Sequence, residues 1–187
     1  MSRTGYVLAG GRSARMGRDK ALLPFRGGVL AASIATAVAQ AAGTAVLVGN
    51  PALGERTGYP AIPDRFPGEG PLGGILTALA HSRAEWNLIV ACDMPAVDAP
   101  FLRKLLDAAE AAGADVLLPR GPSGRPEPLC AVYRLSALPL LEAAFAAGVR
   151  KITAALAGLR AAPYEVTEIT PLQNVNTPED WSPYAAK

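Results

Sequence analysis

The stretch that decides the fold is YVLAGGRSARMGRDK, residues 6–20, in which a short apolar run meets two glycines and then a basic loop. The apolar run Tyr6–Ala9 is typical of a buried strand, and Gly10 and Gly11 end it. Four basic residues follow the glycines: Arg12, Arg15, Arg18 and Lys20. Glycines let backbone N–H groups approach a phosphate, and the cations can neutralise its charge. We therefore interpret this stretch as a phosphate-binding loop; the alternative is an ordinary turn with solvated arginines.

The spacing of these glycines excludes two familiar phosphate-binding signatures. Five residues separate Gly11 from Gly17, and Asp19 precedes Lys20. The stretch is therefore neither G-x-G-x-x-G nor the G-x-x-x-x-G-K-[ST] of a P-loop.

Strand and helix patterns alternate along the rest of the chain. Further strands are predicted at Val46–Val48, Trp86–Ala91, Val116–Leu118, Leu129–Tyr133 and Tyr164–Glu168. Helices are predicted at Val29–Ala42, Leu72–Ser82, Ala99–Ala112 and Ala137–Ala147, with Gly113 and Gly148 as stop residues. Such alternation predicts an α/β protein with a mostly parallel sheet covered on both faces. The segment Arg120–Pro128 is too short for a crossover helix, which predicts one antiparallel strand.

The composition favours one domain over residues 1–187. Half of the residues are apolar, 18% are charged, and the net charge is only +2. Neither sign of charge forms a long block, so we expect no nucleic acid and no membrane as a partner. Cys92 and Cys130 are too few for a disulfide scaffold, and the amino terminus has no basic segment followed by a long apolar one. We therefore expect a cytoplasmic protein.

Asp93 is the strongest candidate for a metal ligand. Ligands of open parallel sheets bind at the carboxyl ends of the strands, and Asp93 follows a strand that we predict to be central. Burying a carboxylate there is costly without a cation, and a hydrated Mg²⁺ carried by a nucleotide would supply one. The alternative role, capping the next helix, suits Asp98 better. Cys92 is interpreted as a small core residue.

The loop Pro63–Gly74 is a second candidate segment. It leads into a helix at Gly73 and Gly74, where a ligand could approach the backbone and meet free N–H groups. Plain turn chemistry explains half of this loop equally well.

Asn174 and Asn176 form a third candidate. Their alternation puts both amides on one side of an extended segment. Thr177 and Pro178 predict a helix N-cap followed by proline at the first helical position, which leaves the two asparagines unexplained.

Three other residues are assigned structural roles. His81 is the sole histidine and is expected to cap its helix or face solvent. A serine-histidine-aspartate hydrolase is disfavoured, because no G-x-S-x-G element is present. Trp86 and Trp181 are expected at the edges of the core.

Taken in order, these motifs resemble those of the MobA-type molybdenum cofactor guanylyltransferases. The similarity covers nearly the whole chain, and the wider nucleotidyltransferase superfamily shares the L-A-x-G-x-x-x-R-M-G opening. Cytidylyl-transferring relatives tend to have alanine where Gly10 stands, so the resemblance favours guanine. The matching motifs are LAGGRSARMGRDKALL (8–23), GPLGGI (70–75), CDMP (92–95), PLCAVY (128–133) and NVNTPE (174–179).

This resemblance implies a three-layer α/β/α Rossmann-like nucleotidyltransferase fold. The implied reaction transfers GMP from GTP to molybdenum-loaded molybdopterin, with Mg²⁺ as cofactor and pyrophosphate as the second product. Other proteins of molybdenum cofactor biosynthesis and molybdoenzyme chaperones are candidate partners. A cytidylyltransferase of the same cofactor, or a nucleotidyltransferase with another phosphorylated acceptor, is the alternative. A nucleotide-binding regulator without activity is disfavoured, because Lys20 and Asp93 are both present.

The family's functional residues can be matched to positions of this sequence. The resemblance implies that the nucleotide is bound by Leu8, Ala9, Gly10, Lys20, Asn50, Asp64 and Asp93. It implies a catalytic set of Lys20, Arg15 and Asp93, of which Asp93 also binds the metal. It implies acceptor binding by Arg15, Gly73, Asn174 and Asn176. Asn50 is offset, because family members commonly place an asparagine directly after the second strand, where this chain has Gly49.

Overall fold

The first strand of the chain lies in the interior of the sheet, beside the middle strand. The computed structural model describes residues 1–10, 19–168 and 170–185. Its first strand, β1 (Arg3–Leu8), pairs in parallel with a strand on each side. The other strands are β2 (Pro24–Phe25), β3 (Gly28–Val29), β4 (Ala45–Gly49), β5 (Ala61–Pro63), β6 (Trp86–Ala91), β7 (Val116–Arg120), β8 (Cys130–Arg134) and β9 (Ala161–Glu165). Seven strands form one sheet in the order β5-β4-β1-β6-β8-β7-β9, and β2 and β3 form a separate hairpin.

Helices cover both faces of this sheet. They are α1 (Leu30–Ala42), α2 (Leu53–Thr57), α3 (Pro71–His81), α4 (Ala99–Ala112), α5 (Leu138–Ala146), α6 (Ile152–Ala155) and α7 (Pro178–Trp181). Side chains alternate across the sheet, so Val7 shares a core with α1 and α4, whereas Tyr6 and Leu8 share one with α3 and α5. The predicted three-layer architecture is confirmed. In the part of the chain that the structure describes, no helix is long and apolar enough to cross a bilayer.

The sheet contains one reversed strand, as the short loop Arg120–Pro128 predicted. β8 pairs antiparallel with both β6 and β7, and the remaining strand pairs of the large sheet are parallel. Because β7 is reversed relative to β8, it runs in the same direction as β6. The carboxyl ends of β1, β4, β6 and β7 therefore lie at one edge of the sheet.

The best-predicted helix is α4. It spans Ala99–Ala112 as expected, the side chain of Asp98 accepts a hydrogen bond from the N–H of Phe101 at 2.8 Å, and Gly113 ends the helix. The residues at its two ends, Asp98 and Gly113, are thus enough to specify these bounds locally.

The last strand differs from its prediction. β9 comprises Ala161–Glu165, whereas the pattern predicted Tyr164–Glu168. Ala161 and Pro163 weaken the apolar, β-branched signal by which strands are recognised. β9 nevertheless pairs with β7 along its length, and Pro163 is tolerated because β9 lies at the edge of the sheet.

The two tryptophans occupy different environments. Trp86 is only 2% exposed, and the guanidinium of Arg134 lies 5.5 Å from the centre of its ring. The prediction that Trp86 packs at the edge of the core is therefore wrong, because β6 lies between β1 and β8 in the interior of the sheet. Trp181 packs at the periphery against Phe25, as predicted. His81 is exposed at the end of α3, also as predicted.

Gly5 sets the distance between β1 and α1. A Cβ atom added at Gly5 would lie 2.1 Å from Cγ1 of Val38 and 2.8 Å from the carbonyl oxygen of Thr44. Only a residue without a side chain allows α1 to approach β1 this closely, since real Cβ contacts are longer.

We expect Gly5→Ala to destabilise the fold by about 3 kcal/mol, at the upper end of the usual cost of overpacking a core. Denaturant unfolding measures the change. Gly158→Ala is the matched control, because a Cβ there meets no atom within 4 Å. Equal free energies of unfolding for the two variants would show that α1 moves away from the added Cβ of residue 5 without loss of stability.

Candidate active site

A cavity of about 410 Å³ opens at the edge of the sheet where the parallel strands end. The chain passes from β1 to β4 on one side and later returns to β6 on the other side, which makes this edge the switch point of the strand order. The volume lies within the usual range for small-molecule sites. The cavity is lined by Leu8, Ala9, Gly10, Asp19, Lys20, Val48, Asp64, Gly68, Gly70, Pro71, Gly74, Ala91, Cys92, Asp93 and Leu129.

The end of β1 touches the end of β4 directly. Ala9 donates its N–H to the carbonyl of Val48 at 2.9 Å. Gly49 has a φ of +148°, and a Cβ there would lie 2.9 Å from the nitrogen of Gly10 and 3.0 Å from the carbonyl carbon of Ala9. Glycine is thus required at position 49, because the backbone there packs directly against the backbone of Ala9 and Gly10. The sequence did not predict this contact. A Cβ at Gly10, by contrast, would have only ordinary contacts from 3.7 Å outward.

Lys20 is held at one end of the cavity by several partners. Its ammonium donates to the carbonyl of Val175 at 2.7 Å and to Oδ1 of Asn176 at 2.9 Å, and it lies 3.5 Å from Oδ2 of Asp93. Asp19 caps the short turn that carries Lys20 by accepting the N–H of Ala21 at 3.0 Å. The structure therefore brings together Lys20 and Asp93, two of the three residues of the expected catalytic set; the third, Arg15, lies outside the described residues.

Asp93 is anchored through its backbone. Its carbonyl accepts the N–H of Val175 at 2.8 Å, and the preceding Cys92 donates its N–H to the carbonyl of Leu8 at 3.0 Å. Burial raises the pKa of the Asp93 carboxyl, and the nearby Lys20 ammonium opposes this rise. Burial also raises the pKa of the Cys92 thiol to about 12, so this thiol is not a nucleophile at neutral pH.

The residues around Asp93 fit a metal ion that arrives with a nucleotide. Within the described residues, no group of three or more His, Cys, Asp or Glu side chains could hold a metal ion by itself. Mg²⁺ commonly needs only one or two carboxylates, since phosphate oxygens and water complete its shell. Asp93 offers one half-buried carboxylate in the cavity wall, which suits that mode and not a site made of protein ligands alone.

Glu127 is a second carboxylate that the sequence analysis did not single out. It accepts the N–H of Leu129 at 3.1 Å and the side-chain amide of Asn174 at 3.4 Å. Burial raises its pKa, and the Asp93 carboxylate adds a smaller upward shift. One sequence feature could have pointed to Glu127: it comes directly before the motif that begins at Pro128. That motif starts the reversed strand, whose first residues lie at the edge where the parallel strands end.

The segment 174–177 contacts Lys20, Asp93 and Glu127 at this end of the cavity. Asn176 contacts Lys20, and Asn174 contacts Glu127 through its amide nitrogen. Oδ1 of Asn174 is buried and has no hydrogen-bond partner among the residues that the structure describes. Thr177 caps α7 in a capping box with Asp180, as the sequence predicted for the N-cap.

Asp64 also lines the cavity; its contact with a nucleotide stays a prediction. It follows β5, a strand too short to be predicted. Its Oδ1 accepts the N–H of Phe66 at 2.9 Å and the hydroxyl of Thr77 at 3.0 Å. These bonds fix the start of the loop that leads to α3.

Gly73 does not offer the free N–H that the sequence analysis expected. It is buried, it donates its N–H to the carbonyl of Gly70 at 3.1 Å, and a Cβ there would lie 2.8 Å from Cβ of Phe66. The expectation of a free donor is therefore wrong, because the glycine makes room for the loop. Gly74 lines the cavity instead, next to Leu8. A contact between Gly73 and the acceptor stays a prediction.

The two remaining site candidates are Asn50 and Arg15. Asn50 is exposed and does not line the cavity; its Oδ1 accepts the N–H of Ala52 at 3.0 Å in a turn at the start of α2. Its contact with a nucleotide stays a prediction. Arg15, like Arg12 and Arg18, lies outside the described residues.

The loop that borders the cavity is attached to α5 from outside. The rings of Phe66 and Phe145 lie 4.7 Å apart, and Glu69 forms an ion pair with Arg150 at 2.6 Å. The Arg150 guanidinium also lies 3.9 Å from the centre of the Phe145 ring. These contacts hold Gly68 and Gly70 in the cavity wall.

A cavity at the switch point of a mostly parallel α/β sheet, lined by a lysine and a half-buried carboxylate, defines an enzyme of the nucleotidyltransferase class. Phosphoryl-type transfer needs positioning and charge neutralisation more than it needs a protein nucleophile. The chain belongs to the MobA-like NTP transferase domain family, whose pattern matches residues 5–161. Enzymes of this type generally use a divalent metal ion.

Named relatives agree with this membership. The chain is 38% identical over 188 residues to the molybdenum cofactor guanylyltransferase of Xanthomonas euvesicatoria pv. vesicatoria, covering 96% of this chain and 92% of the relative. It is 35% identical over 182 residues to that of Rhodobacter capsulatus, covering 94% and 91%. The crystal structure of molybdopterin-guanine dinucleotide biosynthesis protein A from Archaeoglobus fulgidus matches with a TM-score of 0.84 and 31% identity, covering 98% and 97%. The family resemblance seen in the sequence is confirmed.

We expect Gly49→Ala to weaken nucleotide binding, because its Cβ would push Ala9 and Gly10 out of the cavity wall. A loss of about tenfold in affinity corresponds to ~1.4 kcal/mol. Titration calorimetry with GTP measures the loss. Gly158→Ala is the matched control, since its Cβ meets no atom within 4 Å and the residue does not line the cavity. Unchanged affinity in a folded Gly49→Ala variant would show that the contact between Gly49 and Gly10 does not shape the site.

Proposed function

We propose that this protein transfers GMP from GTP to the terminal phosphate of molybdenum-loaded molybdopterin and releases pyrophosphate. The observation that carries the proposal is the convergence of Lys20 and Asp93, 3.5 Å apart, at one end of a nucleotide-sized cavity. We take the identity of the base and of the acceptor from the guanylyltransferase relatives, which align over nearly the whole chain.

The nucleotide would lie between the ends of β1 and β5. Leu8, Ala9 and Gly10 would contact guanine or ribose, since Gly10 leaves its backbone open to the cavity. Asp64 would accept hydrogen bonds from the nucleotide through Oδ2, because Oδ1 is held by Thr77. The side of the cavity that carries Lys20 and Asp93 would then receive the phosphates.

The chemistry would be in-line attack of the acceptor phosphate oxygen on the α-phosphorus of GTP, with cleavage of the bond to the pyrophosphate oxygen. Lys20 would donate to the phosphate oxygens whose charge grows as pyrophosphate leaves. Asp93 would hold Mg²⁺, which when bound neutralises charge on the phosphates. Before substrates bind, the Lys20 ammonium lies 3.5 Å from the Asp93 carboxylate, so the two opposite charges compensate each other.

The acceptor would meet the segment 174–177 and the loop near α3. Asn174 has a buried, unpartnered Oδ1 among the described residues and can accept a hydrogen bond from a ligand donor. Asn176, which accepts a hydrogen bond from Lys20, would also contact the acceptor. Arg15 and Gly73 complete the set of acceptor-binding residues that we propose.

The decisive test is turnover with GTP and CTP side by side, with molybdenum-loaded molybdopterin as acceptor. We expect the guanine dinucleotide and pyrophosphate in equal amounts, and a preference for GTP of at least about tenfold in kcat/KM, or ~1.4 kcal/mol. A preference for CTP would support the cytidylyltransferase alternative. Nucleotide binding without product would identify a different acceptor or a binding protein.

We expect Lys20→Ala to lower kcat about a hundredfold, or ~3 kcal/mol, because the lysine stabilises charge that develops in the transition state. The affinity for GTP should change much less. Steady-state kinetics and calorimetry separate the two effects. Lys104→Ala, at an exposed position of α4 outside the cavity lining, is the matched control. Normal turnover of Lys20→Ala at saturating GTP would remove Lys20 from the mechanism.

A further inference from the structure

We infer that Asp180 is a positioning residue that fixes the ammonium of Lys20 through the segment Val175–Thr177. This inference rests on the proposed function and deepens it, since it assigns a role to a residue outside the cavity lining. Asp180 is exposed and does not line the cavity.

The segment links the two charged residues of the site. Val175 donates its N–H to the carbonyl of Asp93 at 2.8 Å, and its own carbonyl accepts from Lys20 at 2.7 Å. Asn176 accepts a second hydrogen bond from Lys20 at 2.9 Å. The position of the Lys20 ammonium relative to Asp93 therefore depends on the conformation of these two residues.

Asp180 fixes the far end of this segment. Its Oδ2 accepts the backbone N–H of Asn176 and that of Thr177, both at 2.9 Å. Its own N–H donates to the hydroxyl of Thr177 at 3.2 Å. These bonds lower the pKa of the Asp180 carboxyl, so the carboxylate that accepts them is the form present at neutral pH.

Among the described residues, few other contacts define the backbone of this segment beyond Val175. Residues 173–177 form neither helix nor strand, and Val175 is 2% exposed whereas Asn176 is exposed. Burial of Val175 anchors one side, and Asp180 fixes the other. Without Asp180, the Asn176 amide would sample several orientations and would no longer hold the lysine in one place.

Capping alone is the competing explanation. Asp180 closes a capping box at the start of α7, a helix of four residues, and such a cap contributes to stability whatever Lys20 does. The two explanations differ in one respect. A cap affects unfolding, whereas a positioning residue also changes the behaviour of Lys20 in the folded protein.

The first measurement is the rate at which acetic anhydride acetylates the ε-amine of Lys20 in the folded protein, with each labelled lysine located by mass spectrometry of the digested protein. It does not depend on which reaction the protein catalyses. In the parent, Lys20 is 14% exposed and hydrogen-bonded, so it should react slowly. We expect Asp180→Ala to speed its acetylation about fivefold relative to exposed Lys104, by increasing the fraction of time it is open to solvent.

Two further variants control this measurement. Glu179→Ala removes a neighbouring exposed charge from the same helix and should leave Lys20 as slow as in the parent. Asp180→Asn keeps an acceptor oxygen and should restore most of the protection. Unchanged acetylation of Lys20 in a folded Asp180→Ala variant, or equal acceleration in Glu179→Ala, would overturn the inference.

The second measurement is a double-mutant cycle on kcat. Asp180→Ala should lower kcat about tenfold with little change in the KM for GTP, since it displaces a catalytic group without touching the nucleotide. In the Lys20→Ala background the same substitution should have no further effect. Equal losses in both backgrounds would show that Asp180 does not act through Lys20. Failure of the parent to transfer GMP would reject the proposed function, and the acetylation result would still decide the role of Asp180.

Discussion

The parallel pairing of β1 with β4 on one side and with β6 on the other is the constraint on which the molecule depends. It places the ends of three strands side by side, so that Gly10, Gly49 and Asp93 come from distant parts of the chain to one edge. α1 must pack directly against β1 for this arrangement to form, which is possible because Gly5 has no side chain. The position of the cavity follows from the strand order.

Charge at this edge is balanced within the protein. Asp93 and Glu127 are both partly buried. Burial disfavours the charged form of each carboxyl and so raises its pKa. Lys20 beside Asp93, and Asn174 beside Glu127, offset that cost. The same groups are suited to polyphosphate chemistry, in which charge must be neutralised where it develops and little covalent work is left to side chains.

Much of the site could be predicted because its residues follow strands with strong local signals. Lys20 and Asp93 each stand near a glycine-rich turn or a buried apolar run, and their convergence required only the rule that parallel strands end at one edge. Glu127 precedes a strand instead of following one, and Asp180 lies in an exposed helix, so neither residue was singled out from the sequence. Gly73 was misinterpreted because a glycine that admits a ligand and a glycine that admits Phe66 look alike in a sequence.

The sequence by itself determined the class of fold, the reversed strand and the bounds of α4, because periodicity, loop length and capping act over short distances. It also determined the family, through motifs that span nearly the whole chain. Only the tertiary structure decided that Gly49 touches Gly10, that Trp86 lies in the core and that the segment 174–177 holds Lys20. These contacts join residues far apart along the chain, and no local pattern records which of them will meet.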